Sequence, residues 1–157
     1  ENAPTFFRDE QAGITTIYFN SLLRQDGPGD FDIYASTLGP NEPLKPDSMW
    51  GPGVVVPELC SPQRDTRTAI RRDGLEMFIT SNRPGGFGKL DLWTSTRAST
   101  VNAWSKPVNL GPTVNSTADD GGPALSADGT TLYFYSTRPG GFGGRDLYKT
   151  TRTRLEG

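Results

Sequence analysis

The chain holds no histidine among its 157 residues. It therefore lacks Ser-His-Asp and Cys-His machinery, His-ligated zinc and the usual base near neutral pH, and any catalysis falls to carboxylates, Tyr, Lys or Arg. Two sets of carboxylates recur at regular spacing. Asp32, Asp91 and Asp146 each sit after a Gly-rich stretch, and Glu1, Asp65 and Asp120 each stand three residues before Pro4, Thr68 and Pro123. A catalytic acid is needed once, whereas a carboxylate present in every repeat has a per-repeat task. For the first set that task is accepting hydrogen bonds from loop amides or pairing with Arg83 and Arg138. Gly85-Gly86-Phe87-Gly88 lacks the following Lys-Ser/Thr and the helix of a phosphate cradle.

These residues are placed by an internal repeat. The pattern of Arg72 to Trp93 recurs as Ala127 to Tyr148 at a constant offset, with 11 of 22 residues identical, Asp73 matching Asp128 and Asp91 matching Asp146. A period near 50 residues points to propellers or arrays. Within a copy, Thr68 to Arg71 reads as a first strand and Asp73-Gly74 as a tight turn, matched by Asp128-Gly129. Met77 to Thr80 and its counterpart Leu132 to Tyr135 are apolar or aromatic on both faces, which predicts a strand covered on both sides. Ser81 to Gly88 makes a wide loop, Leu90 to Ser95 returns, and the segment from Trp104 supplies a Pro-containing edge strand. The first copy is degenerate, with Ile17 to Ser21, Phe31 to Tyr34 and Trp50-Gly51-Pro52 at the matching places. The prediction is an all-β, partial β-propeller of three blades of four antiparallel strands, the last incomplete, forming half of a six-bladed ring. The blades span approximately residues 1–60, 61–115 and 116–157 of a single repeat domain.

The pattern Asp-Gly, aromatic strand, Ser-x-Arg-Pro-Gly-Gly-Phe-Gly-x-x-Asp-Leu-Tyr, then Trp-x-x-Pro-Val-Asn-Leu-Gly resembles the TolB-like, WD-type β-propeller repeat of bacteria. The likeness covers nearly the whole chain and is strongest in the last two repeats. It implies a periplasmic or secreted, non-catalytic binding or scaffold module that recognises a protein, peptide or glycan at the mouth of the axial channel. Kelch repeats, the other class with a Gly-Gly doublet, fit less well because Ser81-Asn82-Arg83-Pro84 intervenes.

In such a fold the strands after Glu1, Asp65 and Asp120 line the channel. The three acids would then form an arc able to attract a basic ligand or a cation such as calcium, or would cap the turn into each strand. Arg64 and Arg67, with no basic counterpart near Asp120, would neutralise the arc locally. No other cofactor is implied. The alternative functions are a carbohydrate-active enzyme using Asp65 and Asp120, and a fragment of a longer propeller with no independent activity. Three blades do not close a ring, so the expected partner is a second copy or the missing blades of a longer chain. Glu1 in place of Met is what a processed, trimmed or fragmentary chain would show.

Sixteen basic and 18 acidic residues give a net charge of −2 without long runs of either sign, which argues against nucleic acid. No apolar stretch is long enough to span a bilayer. The lone Cys60 excludes an intrachain disulfide and reads as a small packing residue.

Overall fold

The computed structural model describes residues 2–22, 24, 26–40, 42 and 49–153. Among the described residues eleven strands and no helix make up three antiparallel sheets. The first contains β1 (Asn2–Asp9), β2 (Ile14–Ser21), β3 (Asp32–Leu38) and β4 (Val54–Val55). The second contains β5 (Asp65–Ile70), β6 (Glu76–Ser81), β7 (Asp91–Thr96) and β8 (Val108–Asn109). The third contains β9 (Asp120–Leu125), β10 (Thr131–Ser136) and β11 (Asp146–Thr151). Within each sheet the strands follow chain order, so each sheet is a meander.

The sheets fan out from one side. The first strand of the middle sheet lies beside the first strands of both neighbours, while β4 and β8 touch only their own sheets. Inner strands that converge and outer strands that diverge are the geometry of propeller blades. The sheets are therefore three blades of four, four and three strands, as the repeat predicts.

The turn chemistry follows from the residues. Gly74 and Gly129 adopt φ of 74° and 72°, the left-handed conformation that an Asp-Gly hairpin needs, and Asp73 and Asp128 accept the amides of Leu75 and Thr130.

Each inner strand begins earlier than its apolar run suggests, because a β-bulge interrupts the pairing. The register slips between Asn2 and Thr5, between Thr66 and Thr68, and between Gly121 and Ala124. The bulged residue is left-handed in every case: Ala3 at 50°, Arg67 at 45° and Gly122 at 63°.

The core lies between blades. Tyr18 and Ile33 of the first pack with Met77, Ile79 and Trp104 of the second, and Phe78 and Leu92 of the second pack with Leu132 and Phe134 of the third. Trp104 meets Tyr18 edge to face at 6.2 Å, with the Arg97 guanidinium 4.3 Å over its ring. All six residues of β6, which has a blade on either side, are buried.

Cys60 shows how the repeat reuses a position. In the third blade's approach, Asn115 accepts the Leu92 amide and donates to its carbonyl, and Cys60 makes the same pair of contacts with Ile33 through sulfur. Burial pushes the Cys60 thiol up to about 12. We expect a maleimide at pH 8 to leave the native protein unlabelled and to react once denaturant is added; rapid native labelling would show an accessible thiolate.

Candidate functional site

Asp65 opens β5 and pairs in register with Ser81 at the end of β6. The Ser81 hydroxyl donates to Asp65 Oδ1 at 2.6 Å, and Arg83 Nη2 donates to the same oxygen and to the Leu59 carbonyl at 2.7 Å. Asp65 Oδ2 accepts the amide and hydroxyl of Ser61 at 2.6 and 2.8 Å. The Arg83 guanidinium lies over Trp93. The third blade repeats the assembly: Ser116 gives its amide and hydroxyl to Asp120 Oδ2, and Arg138 Nη2 reaches Asp120 Oδ1 at 2.8 Å and the Val114 carbonyl at 2.6 Å. Both carboxylates are completely buried.

This arrangement reassigns the arginines. Arg83 and Arg138 pair with Asp65 and Asp120, whereas Asp91 accepts the amides of Phe87 and Gly88 and the Asn109 side chain. Asp32 and Asp146 likewise accept the amides of Gly29 and Gly143. The loop path explains the choice: Ser81-x-Arg83 doubles back over the start of the inner strand, while the Gly-rich segment wraps the next carboxylate. The Ser61 and Ser116 partners are visible in sequence only as a Ser-x-x-x-Asp spacing that recurs at the repeat offset. Trp104 is buried between blades, while its counterpart Trp50 is half-buried on the outer flank of the first blade.

Glu1 lies outside the described residues. Asp65 and Asp120 therefore do not form an open acidic arc: both oxygens of each are bonded to Ser and Arg, which leaves no vacant direction for a cation. Among the described residues no group of three or more His, Cys, Asp or Glu is placed to hold a metal ion.

Among the described residues the axial surface is instead basic. The bulges of β1, β5 and β9 border an open cleft of about 510 Å³ lined by Ala3, Pro4, Arg64, Thr66, Arg67 and Gly122 among others. Arg64 and Arg67 are exposed there. Arg64 lies 4.5 Å over Phe31 and Arg67 5.7 Å over Tyr135, and among the described residues neither has a carboxylate partner. Arg67 holds its side chain at the cleft from a left-handed backbone, the place where the third blade uses Gly122. A non-glycine residue in that region costs on the order of 1 to 3 kcal/mol.

The carboxylates set the pH response. Burial opposes ionisation of Asp120 and Asp73, but for Asp120 the hydrogen bonds from Arg138, Ser136 and Ser116 together, and for Asp73 the hydrogen bonds from Arg71 and the Leu75 amide with the Arg71 charge, outweigh it and hold both below the ordinary value. Hydrogen bonds from Ser126 and Thr130 bring exposed Asp128 down to about 2. Groups lowered on folding lend stability above their unfolded values that is lost as pH falls through the native ones. Asp32 is raised, chiefly by burial, so its contribution has the opposite sign and is lost as pH rises through its native value. With no histidine, the melting temperature is expected to be flat between about pH 6 and 8 and to fall below about pH 4, with a shallow acid-side maximum from Asp32. Thermal melts across that range test it, and a step near about pH 6.5 would contradict it.

Among the described residues no helix is long and apolar enough to cross a membrane. No protein-family model matches the chain, and no curated protein matches it. Solved structures with some similarity include Trypanosoma rangeli sialidase in complex with the inhibitor DANA, at 12% identity and TM-score 0.47 over 95% of this chain and 28% of that one. The same sialidase with 2,3-difluorosialic acid as a covalent intermediate gives 12% identity and TM-score 0.48 over the same shares. A further structure of Trypanosoma rangeli sialidase gives 10% identity and TM-score 0.42, covering 96% of this chain and 31% of that one. The chain thus spans under a third of each sialidase chain, and a likeness at these scores says nothing of its ligand or chemistry.

Proposed function

We propose that this protein is a non-catalytic binding module whose axial cleft takes a carboxylate-bearing segment of a protein, peptide or glycan through Arg64 and Arg67. The observation that carries the reading is Arg67 itself, a charged side chain kept at a strained bulge on the cleft with no carboxylate partner among the described residues. Ala3 and Gly122 share the left-handed bulge, so the conformation belongs to the blade; what is particular to the second blade is the charged side chain carried on it. The commitment of Asp65 and Asp120 to buried ion pairs favours binding over acid-base hydrolysis, since neither is available to protonate a leaving group. An extracytoplasmic setting, implied by the repeat resemblance, goes with this role.

An array of acidic and neutral peptides and glycans tests the proposal. Acidic members should bind, and binding should weaken with salt as exposed guanidinium contacts are screened. A charge-assisted hydrogen bond is worth about 1.5 to 3 kcal/mol, so Arg64→Ala and Arg67→Ala should each lower affinity by about tenfold or more. Arg67→Gly is more pointed: it should leave the fold at least as stable as the parent while weakening binding as Arg67→Ala does. Hydrolysis of any glycan that disappears in Asp65→Asn, with the fold intact, would overturn the reading.

A further inference from the structure

The two interfaces between blades are built from the same parts. A loop carbonyl accepts the amide of the next blade's buried Asp, Phe31 to Asp65 at 2.9 Å and Leu90 to Asp120 at 2.8 Å. A polar side chain on the second strand accepts the next blade's bulge amide, Asn20 from Arg67 at 3.4 Å and Thr80 from Gly122 at 2.9 Å. A loop glycine lies against the next blade's approaching backbone. A Cβ on Gly29 would overlap the carbonyl oxygens of Gln63 and Ser61, and one on Gly88 would overlap those of Ala118 and Ser116.

The third blade carries the loop carbonyl and the loop glycine of this set on a flank that nothing among the described residues covers, with Tyr135 standing where Asn20 and Thr80 stand. Leu147 is 77% exposed where its counterparts Ile33 and Leu92 are 0%, and Tyr133 is 40% exposed where Phe78 is 4%. No described residue donates to the carbonyl of Arg145, which stands where Phe31 and Leu90 stand. Gly143, the counterpart of Gly29 and Gly88, has nothing within 4 Å of an added Cβ and does not have a positive φ. Neither space nor backbone conformation in this chain calls for glycine there.

The outer flank of the first blade is the other half. Ile17 and Phe19 stand where Met77 and Ile79 receive the first blade, and where Leu132 and Phe134 receive the second. They line an open cleft of about 330 Å³ with Arg24, Trp50 and Gly53. Trp50 holds the position of Trp104, which packs against the preceding blade's Tyr18. The bulge at Ala3 presents the backbone turn that Arg67 and Gly122 use to reach the preceding blade.

We propose that a second copy of this chain covers both flanks, head to tail, so that the third blade of each docks on the first blade of the other and two chains close into one ring. One chain carries the donor and the receiver flank of an interface it already makes twice internally, which is what head-to-tail pairing needs, and two sets of three blades give a number within the range that closes a propeller ring. Exposed apolar flanks of this kind otherwise favour open-ended association. The proposal does not rest on what the axial cleft binds.

Light scattering and sedimentation on the full chain provide the test. The expected mass is twice the 17.1 kDa of one chain. Gly143→Val fills space that is open in the isolated chain, so it should keep the circular dichroism of the parent and run at the mass of one chain. Ile17→Glu on the opposite flank should do the same. Mixing the two variants should restore association, because the mixture contains one unaltered pair of flanks. A single-chain mass for the parent through the micromolar range, or a Gly143→Val protein that still pairs, would overturn the proposal. Should Gly143→Val fail to fold, Leu147→Lys on the same exposed flank gives the same reading.

Discussion

Replacing Arg83 by Met is expected to cost about 3 to 5 kcal/mol of folding stability, because it strands a fully buried carboxylate without its counter-charge. For a domain whose whole stability is on the order of 5 to 15 kcal/mol, that loss approaches the unfolding threshold. Asp65 would retain Ser61 and Ser81, but hydroxyls and one amide supply no net charge. The guanidinium also satisfies the Leu59 carbonyl and covers the Trp93 ring, so the substitution removes an anchor between the first two blades as well as an ion pair. Arg138→Met in the third blade should cost less. Its side chain is 25% exposed against 8% for Arg83, and water can partly solvate the carboxylate left behind. Urea unfolding followed by tryptophan fluorescence measures both. Adding Asp65→Asn to Arg83→Met should recover part of the loss, since a neutral amide does not require a buried cation. Equal small effects at both positions would mean that the ion pairs are not what holds the inner strands to the loops.

The strand order and the blade repeat are legible in the sequence because they depend on local signals: the Asp-Gly turn, the aromatic strand and the Pro-containing edge. The bulges are less legible. Nothing in Asp65-Thr66-Arg67 announces a left-handed residue, and only Gly122 at the equivalent place hints at one, so the inner strand appears to start at Thr68 when it starts at Asp65. The sign of the axial surface is lost for the same reason. Spacing places an acid near the mouth of each blade, but pairing of Asp65 with Ser81 turns the carboxylate inward onto Arg83 and leaves Arg64 and Arg67 at the cleft. Tertiary context also separates strands of the same pattern. Met77 to Thr80 and Leu132 to Tyr135 both read as covered on two faces, yet only the first has a blade on each side, and Tyr133 stays exposed.

Gly88→Ala is the second large effect expected, and its cause is steric rather than electrostatic. A Cβ at Gly88 would overlap the backbone carbonyl of Ala118 and press on that of Ser116, in the segment that delivers the Ser116 amide to Asp120. Backbone cannot swing aside as a flexible side chain does, so the loop must shift or the second and third blades must separate. Overpacking of this kind costs about 1 to 3 kcal/mol and occasionally more. Because the shifted segment holds Asp120, the loss should fall toward the upper end and should couple to Arg138→Met, the double variant losing less than the two single losses combined. Gly143→Ala is the internal control: the same residue type at the same place in the repeat, with open space around it, should leave the stability of a single chain unchanged. Thermal melts of both variants at low protein concentration, where any pairing is weakest, separate the two cases. A Gly88→Ala protein as stable as its parent would show that the loop carbonyls yield freely, and with that the steric reading of Gly29 and Gly143 would fall as well.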